Sequence, residues 1–423
     1  MDYVGINFLR RKLEKKQPRI EKRYNYYDMK VFVQDFGKTT PDDFKYLNEV
    51  LGWCSTAVDA VADRIVFKNF KNDLFGMNEI FEVNNQDVFV SDLILGSLIS
   101  SCDFVYIYKG IDGFPKLEVI DGYNATGMID RTTMLLNEGY AVLERDVNNK
   151  PIKEAYFTST ETIIYDKRYK EPLVVNNPTG YPLLVPIIYK PDAKRPFGHS
   201  RISRACMNIQ QGAMRTLKRS EISAEYYSFP QKYVLGTDQE SERLDRFRAS
   251  IAMMLEITKD DDGDKPTVGQ FQQQSMEPFI SQMKMFASLF AGESGLTVDD
   301  LGFVSDNPSS QEAIKASHER LRLITRKAQS CFSVGLKNVG FLACCLRDNK
   351  SYKRYEIRKT KVKYEPIFEP DSSSLSMIGD GLFKINQAVP GYVGTETMED
   401  LTGVKPSDDF NDSVDMSDDD DEI

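Results

Sequence analysis

The stretch GESGLTVDDLGFVSDNPSSQEAIKASHERL, residues 292–321, opens on glycines and acids, passes an Asn-Pro-Ser-Ser punctuation, and turns into an amphipathic helix. Gly292, Gly295 and Gly302 favour an irregular backbone, and Glu293, Asp299, Asp300 and Asp306 make that segment acidic. From Ser309 or Ser310 the pattern becomes helical. Ile314, Leu321, Ile324, Ala328, Cys331, Leu336, Val339 and Leu342 form one apolar stripe. A helix reaching Leu346 would run roughly 37 residues, on the order of 55 Å. A flexible acidic loop thus precedes the longest helix of the chain.

Upstream, MEPFISQMKMFASLFA (276–291) reads as a helix ending at that loop. Another helix, SRISRACMNIQQGAMRTLKRSEISAEYYSF (200–229), carries Ile202, Ala205, Ile209, Met214 and Leu217 on one face and stops at Pro230. Between the two lies an insertion, residues 229–273. It holds a strand at PQKYVLG, a short helix at SERLDRFRASIAMMLEI, the acidic turn TKDDDGDKP, and TVGQFQQQ.

Near the N-terminus a helix is expected from Thr40 to Ile65, with Thr40 as cap, Pro41 at the first helical position, and Asp42 and Asp43 at the positive helix end. A second helix is expected over Val88–Ser101. From Asp103 to about Lys190 the texture is that of strands: FVYIYK, KLEVI, YAVLERD, EAYFTS and ETIIYD are rich in β-branched and aromatic residues. YAVLERDVNNKPIKEAYF reads as a hairpin. Beyond the long helix, YKRYEIRK and KVKYEPIF read as a strand pair. SLSMIGDGLFKINQAV and TETMEDLTG read as two short helices. The class is α+β, and no internal repeat is visible.

The 423 residues suffice for two or three packed units. No apolar run approaches the roughly 20 residues that span a bilayer, and the first residues carry no secretory apolar region, so neither membrane insertion nor export is expected. The net charge of −10 is uneven. Residues 408–423 hold nine acids and no base; without them 55 acids face 54 bases. At the other end Arg10, Arg11, Lys12, Lys15, Lys16, Arg19, Lys22 and Arg23 face only Glu14 and Glu21. Terminal charge blocks of this kind are expected to be solvated and disordered, or to dock electrostatically on a partner of opposite sign.

Residues that could do chemistry are scarce. The six cysteines (54, 102, 206, 331, 344 and 345) form no C-x-x-C pair and read as small hydrophobes in a reducing compartment. His199 and His318, the two histidines, read as surface residues beside charged neighbours. There is no P-loop, G-x-S-x-G or H-E-x-x-H motif. Aligning Gly263 of DDDGDK with the glycine of a calcium loop puts Thr258 first and Gly269 last, where Asp and Glu are required. Asp299 and Asp300 lack the third acid or lysine of a nuclease metal site. No catalytic residue, cofactor or metal is expected.

The order helix–insertion–helix, acidic glycine loop, long helix, together with LGFVSDNPSSQEAIKASHERL, resembles the portal proteins (head–tail connectors) of tailed bacteriophages. EYYSFPQKYVLG resembles that family's passage from first stem helix to clip, and VKYEPIFEPDSSSLSMIGDGLFKINQAVPG its return into the crown. The resemblance spans about residues 40–404 and implies a portal fold. After a basic arm (1–39) it implies a wing (40–198), stem helices (199–228 and 274–291), a clip (229–273), a tunnel loop (292–309), a long helix with wing return (310–373), a crown (374–404) and an acidic disordered tail (405–423). A clip this short and a tail this acidic depart from the family pattern.

The implied function is a dodecameric ring at one capsid vertex through which double-stranded DNA is packaged and ejected. The implied partners are further copies of the chain, DNA bound without sequence preference, the terminase large subunit, the major capsid and scaffolding proteins and a head–tail adaptor, with no membrane. The tunnel loop would present Gly292, Glu293, Gly295, Leu296, Asp299, Asp300, Gly302, Asp306 and Asn307 to the channel. Its acids would repel phosphates, so that DNA is touched without being held. Lys315, Arg320, Arg322 and Arg326 would supply sliding phosphate contacts or, in preference, salt bridges between subunits. In the clip, Lys232, Asp260, Asp261, Asp262, Asp264 and Lys265 would face the packaging motor. The rival readings are a metal-dependent DNA-processing enzyme and another ring or adaptor component of the virion.

Overall fold

A computed structural model describes residues 4–35, 44, 46–228, 232–235, 267–270, 275–303, 316–368 and 372–404. The chain divides into two compact units, one made of Met1–Glu21, Val58–Arg201 and Glu319–Ile423, the other of Lys22–Ala57 and Ile202–His318.

The first unit is built around a long helix. Helix α7 (Glu319–Arg347) replaces the longer helix expected from the sequence; within the described residues the helical run breaks at His318, and the expected start at 309–315 lies outside them. Its first half buries a stripe, Leu321, Thr325, Ala328 and Phe332, whereas from Leu336 to Leu346 nearly every side chain is buried. Such all-round burial marks a central core helix. Gly335 and Gly340 permit this: a Cβ at Gly335 would lie 2.4 Å from Ile187 Cδ1, and one at Gly340 would lie 2.9 Å from Met77 Sδ.

Around α7 lie α3 (Met77–Val83), α4 (Gln86–Ser100) and an antiparallel three-stranded sheet in the order β3 (Pro115–Ile120), β2 (Cys102–Lys109), β9 (Leu184–Ile188). A five-stranded antiparallel sheet follows the chain: β4 (Ala125–Ile129), β5 (Leu136–Arg145), β6 (Pro151–Phe157), β7 (Glu161–Asp166) and β8 (Leu173–Asn176). The expected hairpin is β5–β6, with Tyr140 opposite Tyr156. Helices α8 (Ser372–Ala388) and α9 (Thr395–Thr402) match the two short helices read near the C-terminus. Lys68 holds α9 through Glu399 at 2.9 Å.

The expected pair of strands after α7 does not form. Residues Arg354–Lys359 make a 3-10 turn instead, because the Arg354 guanidinium reaches the Thr133 carbonyl and Asn338 Oδ1 while Ile357 is buried. The following strand β12 (Lys361–Tyr364) pairs with a distant strand, β1 (Phe67–Lys71), and Thr360 Oγ1 donates to the Asn72 carbonyl beside it.

The basic N-terminal arm is also corrected. Residues Ile6–Tyr27 form helix α1, with Leu9 and Leu13 packed on Tyr140 and Val142 of β5. Strand β4 is an edge of the five-stranded sheet, and α1 covers it. Lys12 Nζ donates to the Gly127 carbonyl at 2.6 Å, Lys16 Nζ to that of Ala125 at 3.1 Å, and Gln17 to that of Tyr123 at 3.1 Å. Carbonyls two residues apart on a strand repeat about every 6.7 Å, close to the roughly 6 Å between helix positions i and i+4, so two lysines one turn apart satisfy successive edge acceptors. Burial lowers the Lys12 ammonium to about 8, and it also lies 4.9 Å from the Phe197 ring centroid. The lysines are therefore partners of the sheet edge, which protects it from pairing elsewhere.

At the start of β2, Asp103 is buried and accepts from Ser100 Oγ (2.6 Å) and the Gly122 N–H (2.8 Å). Burial, reinforced by Asp121, raises its carboxyl to about 7 despite those bonds. The folded state thus holds a proton there that the unfolded chain releases near pH 4, and this group's contribution to stability falls as pH rises from about 4 to 7. Denaturation from pH 4.5 to 7.5 is expected to show a relative loss of a few kcal/mol that Asp103→Asn lacks. Identical profiles for the two proteins would contradict this.

Candidate functional site

The segments singled out by the sequence lie in the second unit. Helix α5 (Arg204–Ser228) packs on α6 (Glu277–Ser294). In the insertion between them, β10 (Lys232–Leu235) pairs antiparallel with β11 (Thr267–Gln270), Lys232 opposite Gln270. Lys232 therefore stands at the start of a strand. Asp260, Asp261, Asp262, Asp264 and Lys265, and the helix expected over 241–257, lie outside the described residues.

The two helices meet closely because Gly212 has no side chain. A Cβ there would lie 2.7 Å from the Phe286 ring of α6, and Thr216, one turn on, shares a hydrogen bond of 3.0 Å with Gln282. Gly212→Val is expected to destabilise this unit by about 2 kcal/mol, since a stiff ring cannot yield without moving the helix. Trp53, the one tryptophan of the chain, lies 5.5 Å from Phe290 of α6, so its fluorescence during denaturation reports the change. An unchanged midpoint would contradict the close approach.

On the other side of α5, polar side chains hold the N-terminal segment of the unit. Gln210 accepts from the Cys54 N–H (2.9 Å) and donates to the Leu51 carbonyl (2.6 Å). Gln211 accepts from the Gln34 N–H and donates to the Phe32 carbonyl. Buried Lys218 pairs with Asp35 at 2.8 Å. These bonds explain why the helix expected over 40–65 shortens to α2 (Trp53–Ala62): Gln210 occupies the Leu51 carbonyl and caps a free N–H at the helix start. Residues 47–52 are irregular, and 40–43 lie outside the described residues. Sequence reasoning missed this polar anchor. Its signal was Gln-Gln-Gly (210–212) within an otherwise apolar helix face.

The acidic loop is more ordered than its glycines suggested. Gly292 and Glu293 belong to the last turn of α6, and Glu293 accepts from Ser203 Oγ at 3.0 Å. The helix ends at Gly295, whose φ of 76° closes it in the left-handed form. Leu296 and Leu301 are buried. Asp299–Leu301 form a 3-10 turn fastened reciprocally: the Thr297 N–H donates to Asp300 Oδ2 (2.8 Å) and the Asp300 N–H to Thr297 Oγ1 (3.2 Å). This is the capping-box arrangement. Gly302, φ 88°, ends the turn. Gly295 and Gly302 thus fix turns, and Gly292 is helical. Asp306, Asn307 and Lys315 lie outside the described residues.

The remaining charges divide. Arg322 is bound within its own helix to Glu319 at 2.7 Å, which lowers the Glu319 carboxyl and raises the guanidinium. Arg320 and Arg326 are exposed and form no ion pair among the described residues. His199 stands among charged neighbours at the surface, as expected, whereas His318 is more buried than expected. The His199 ring bonds Asp192 at 2.6 Å and holds that carboxyl down to about 2, while the His318 ring is only 18% exposed and lies 3.9 Å from Asp300. Five of the six cysteines are buried, and burial pushes the Cys344 thiol up to about 12.

What the described residues assemble is a pair of packed helices, a strand pair in their connection, and a capped acidic turn at their far end. No family model matches the chain. Among curated proteins it is similar to the portal protein of Mycobacterium phage L5, 24% identical over 319 residues that span 70% of this chain and 65% of that protein. It is also similar to the portal protein of Mycobacterium phage D29, 28% identical over 146 residues, 32% of this chain and 29% of that one. The matched region thus spans less than two thirds of the length of either relative. Solved structures that align with it include the neck of an empty gene transfer agent particle computed with C6 symmetry (TM-score 0.45, 14% identity, 84% of this chain and 91% of that one). Another is the neck of the native particle computed with C12 symmetry (TM-score 0.44, 15% identity, 84% and 90%).

Proposed function

We propose, from its kinship with the portal proteins of tailed bacteriophages, that this chain is a portal protein of a virion. It forms a homo-oligomeric ring, a dodecamer, at one capsid vertex, and double-stranded DNA passes through that ring during packaging and ejection. The observation that carries the reading is the similarity to the L5 portal protein across 319 residues. The pair α5–α6 with its inserted strand pair and following acidic turn supports it, because that order resembles the stem, clip and tunnel loop of portal proteins. In this reading α5 and α6 are the stem, β10 and β11 belong to the clip that meets the terminase and later the adaptor, and residues 295–309 form the tunnel loop. The protein is a conduit and docking platform, without a catalytic role.

The acids of the loop act on DNA by repulsion. Each retained phosphate contact would add affinity and slow translocation, so a wall of like charge lowers drag. Asp299 and Asp300 are exposed, and Asp300 keeps its capping bond if replaced by asparagine. Rings carrying Asp299→Asn and Asp300→Asn are therefore expected to keep their fold and to retain duplex DNA more strongly at low salt, with a steeper salt dependence. A filter-retention assay across a salt series measures this. Unchanged retention would remove the two acids from the channel wall.

A further inference from the structure

The five-stranded sheet has two edges, and they are treated differently. Helix α1 covers β4 and satisfies its outward carbonyls. The other edge, β8, has no strand paired to it among the described residues, and Leu173, Val174 and Val175 are 61%, 53% and 43% exposed. The ladder fixes which groups point outward. The Asn177 N–H donates to the Thr160 carbonyl, so in the β7–β8 register the pairs Thr162–Val175 and Ile164–Leu173 exchange hydrogen bonds. Val174 and Asn176 therefore direct their N–H and C=O away from the sheet. Leu173 and Val175 lie on the same face as buried Thr162 and Ile164, so that the apolar face continues, uncovered, past its last strand. A row of free backbone groups beside exposed aliphatic side chains is the surface to which an extended segment adds as a further strand.

The chain supplies a segment of matching chemistry. Beyond Val404, residues 405–423 include DFNDSVDMS, in which Phe410, Val414 and Met416 share one side of a two-residue alternation with Asp412, while Asn411, Ser413, Asp415 and Ser417 fall on the other. A strand of this pattern would lay Val414 and Met416 beside Leu173 and Val175 and turn its other side to water. Charge fits as well. The turn leading into β8, Lys167-Arg168-Tyr169-Lys170, carries three cations, and Lys170 is exposed with no ion pair among the described residues. The tail carries nine acids. Val404 and β8 belong to the same compact unit, and the ten residues from Val404 to Val414 extend to about 35 Å.

We propose that the acidic C-terminal tail docks on its own chain as an added strand at the β8 edge, through residues Phe410–Met416. The tail then pairs with the edge of the five-stranded sheet opposite the one that α1 protects. This inference stands independently of the ring reading.

The test is amide hydrogen exchange on the full chain and on a variant lacking residues 405–423. Exchange at Val174 and Asn176 is expected to be at least about tenfold faster without the tail, while Val175, bonded inward, changes little. Val414→Asp/Met416→Asp, a change confined to the tail, is expected to reproduce the deletion. Val174→Pro removes only an outward N–H, and proline is tolerated there. A synthetic peptide of residues 405–423 is expected to bind the tail-deleted protein and to fail against its Val174→Pro form, whose far-UV spectrum stays unchanged. Equal exchange with and without the tail would overturn the proposal. So would peptide binding that survives Val174→Pro but is lost in Lys15→Glu/Arg19→Glu, which would place the tail on α1 by charge alone. Protection that fades on hundredfold dilution would assign the edge to a second copy and overturn the intrachain assignment.

Discussion

Phe332→Ala is expected to lower the unfolding free energy of the first unit by about 3–5 kcal/mol, the usual cost of emptying a fully enclosed aromatic site. The Phe332 side chain is fully buried on α7, stacked on Tyr189 with ring centroids 6.1 Å apart. It lies one turn before Leu336, where α7 becomes buried on all sides. The surroundings cannot collapse into the space, because Gly335 already brings the helix backbone against Ile187 and Pro186. Phe332→Leu, which keeps most of the volume, is expected to cost less than half as much. Hydrogen exchange of α7 and β9 amides measures both. A loss below 1 kcal/mol for the alanine variant would mean that α7 is not the core helix of its unit.

The second large effect falls on the other unit. Asp35→Ala leaves the Lys218 ammonium, 3% exposed at its side chain, without its partner at 2.8 Å. Stranding a buried charge costs about 3 kcal/mol or more, whereas removing both partners is often neutral. Asp35→Ala is therefore expected to lower the denaturation midpoint followed by Trp53 fluorescence. Asp35→Leu/Lys218→Met is expected to restore it to within about 1 kcal/mol. If the double variant is as unstable as the single, the pair is not what holds residues 32–35 on α5.

Local order was legible where a period and a chemistry agreed. The helices α5 and α6, the β5–β6 hairpin and the two C-terminal helices could be read because each is decided by neighbours a few residues away. The buried face of α5 could not, since Ala205 of the expected stripe is exposed while Gln210 and Gln211 are buried. Their ends were less legible. Gly292 looked like loop material, yet the helix continues through it to Gly295, since Ser203 fixes Glu293 and Ser294 bonds back to the Phe290 carbonyl. The pairing of β1 with β12 joins segments nearly three hundred residues apart, and four-residue strands carry too little pattern to announce such a partner.

The N-terminal arm shows how charge hid a fold. Eight cations suggested a solvated tail, but Leu9, Leu13 and Ile20 repeat on one helical face, and two of the cations serve carbonyls of a sheet edge. A lysine count cannot separate a solvated charge from one whose ammonium satisfies an edge strand; only the facing strand does. The acidic loop has the same lesson in the opposite sense. Glycines at 295 and 302 gave the appearance of flexibility, and their positive φ values show them closing turns.

The claim on which the functional account rests is assembly into a ring with a channel. Negative-stain electron microscopy of the purified full chain, with mass photometry of the same sample, tests it directly. The account predicts rings of uniform subunit number with a central hole of about 20 Å or more, enough for a DNA duplex of that width. A single monomeric species at every protein concentration and salt condition would contradict it.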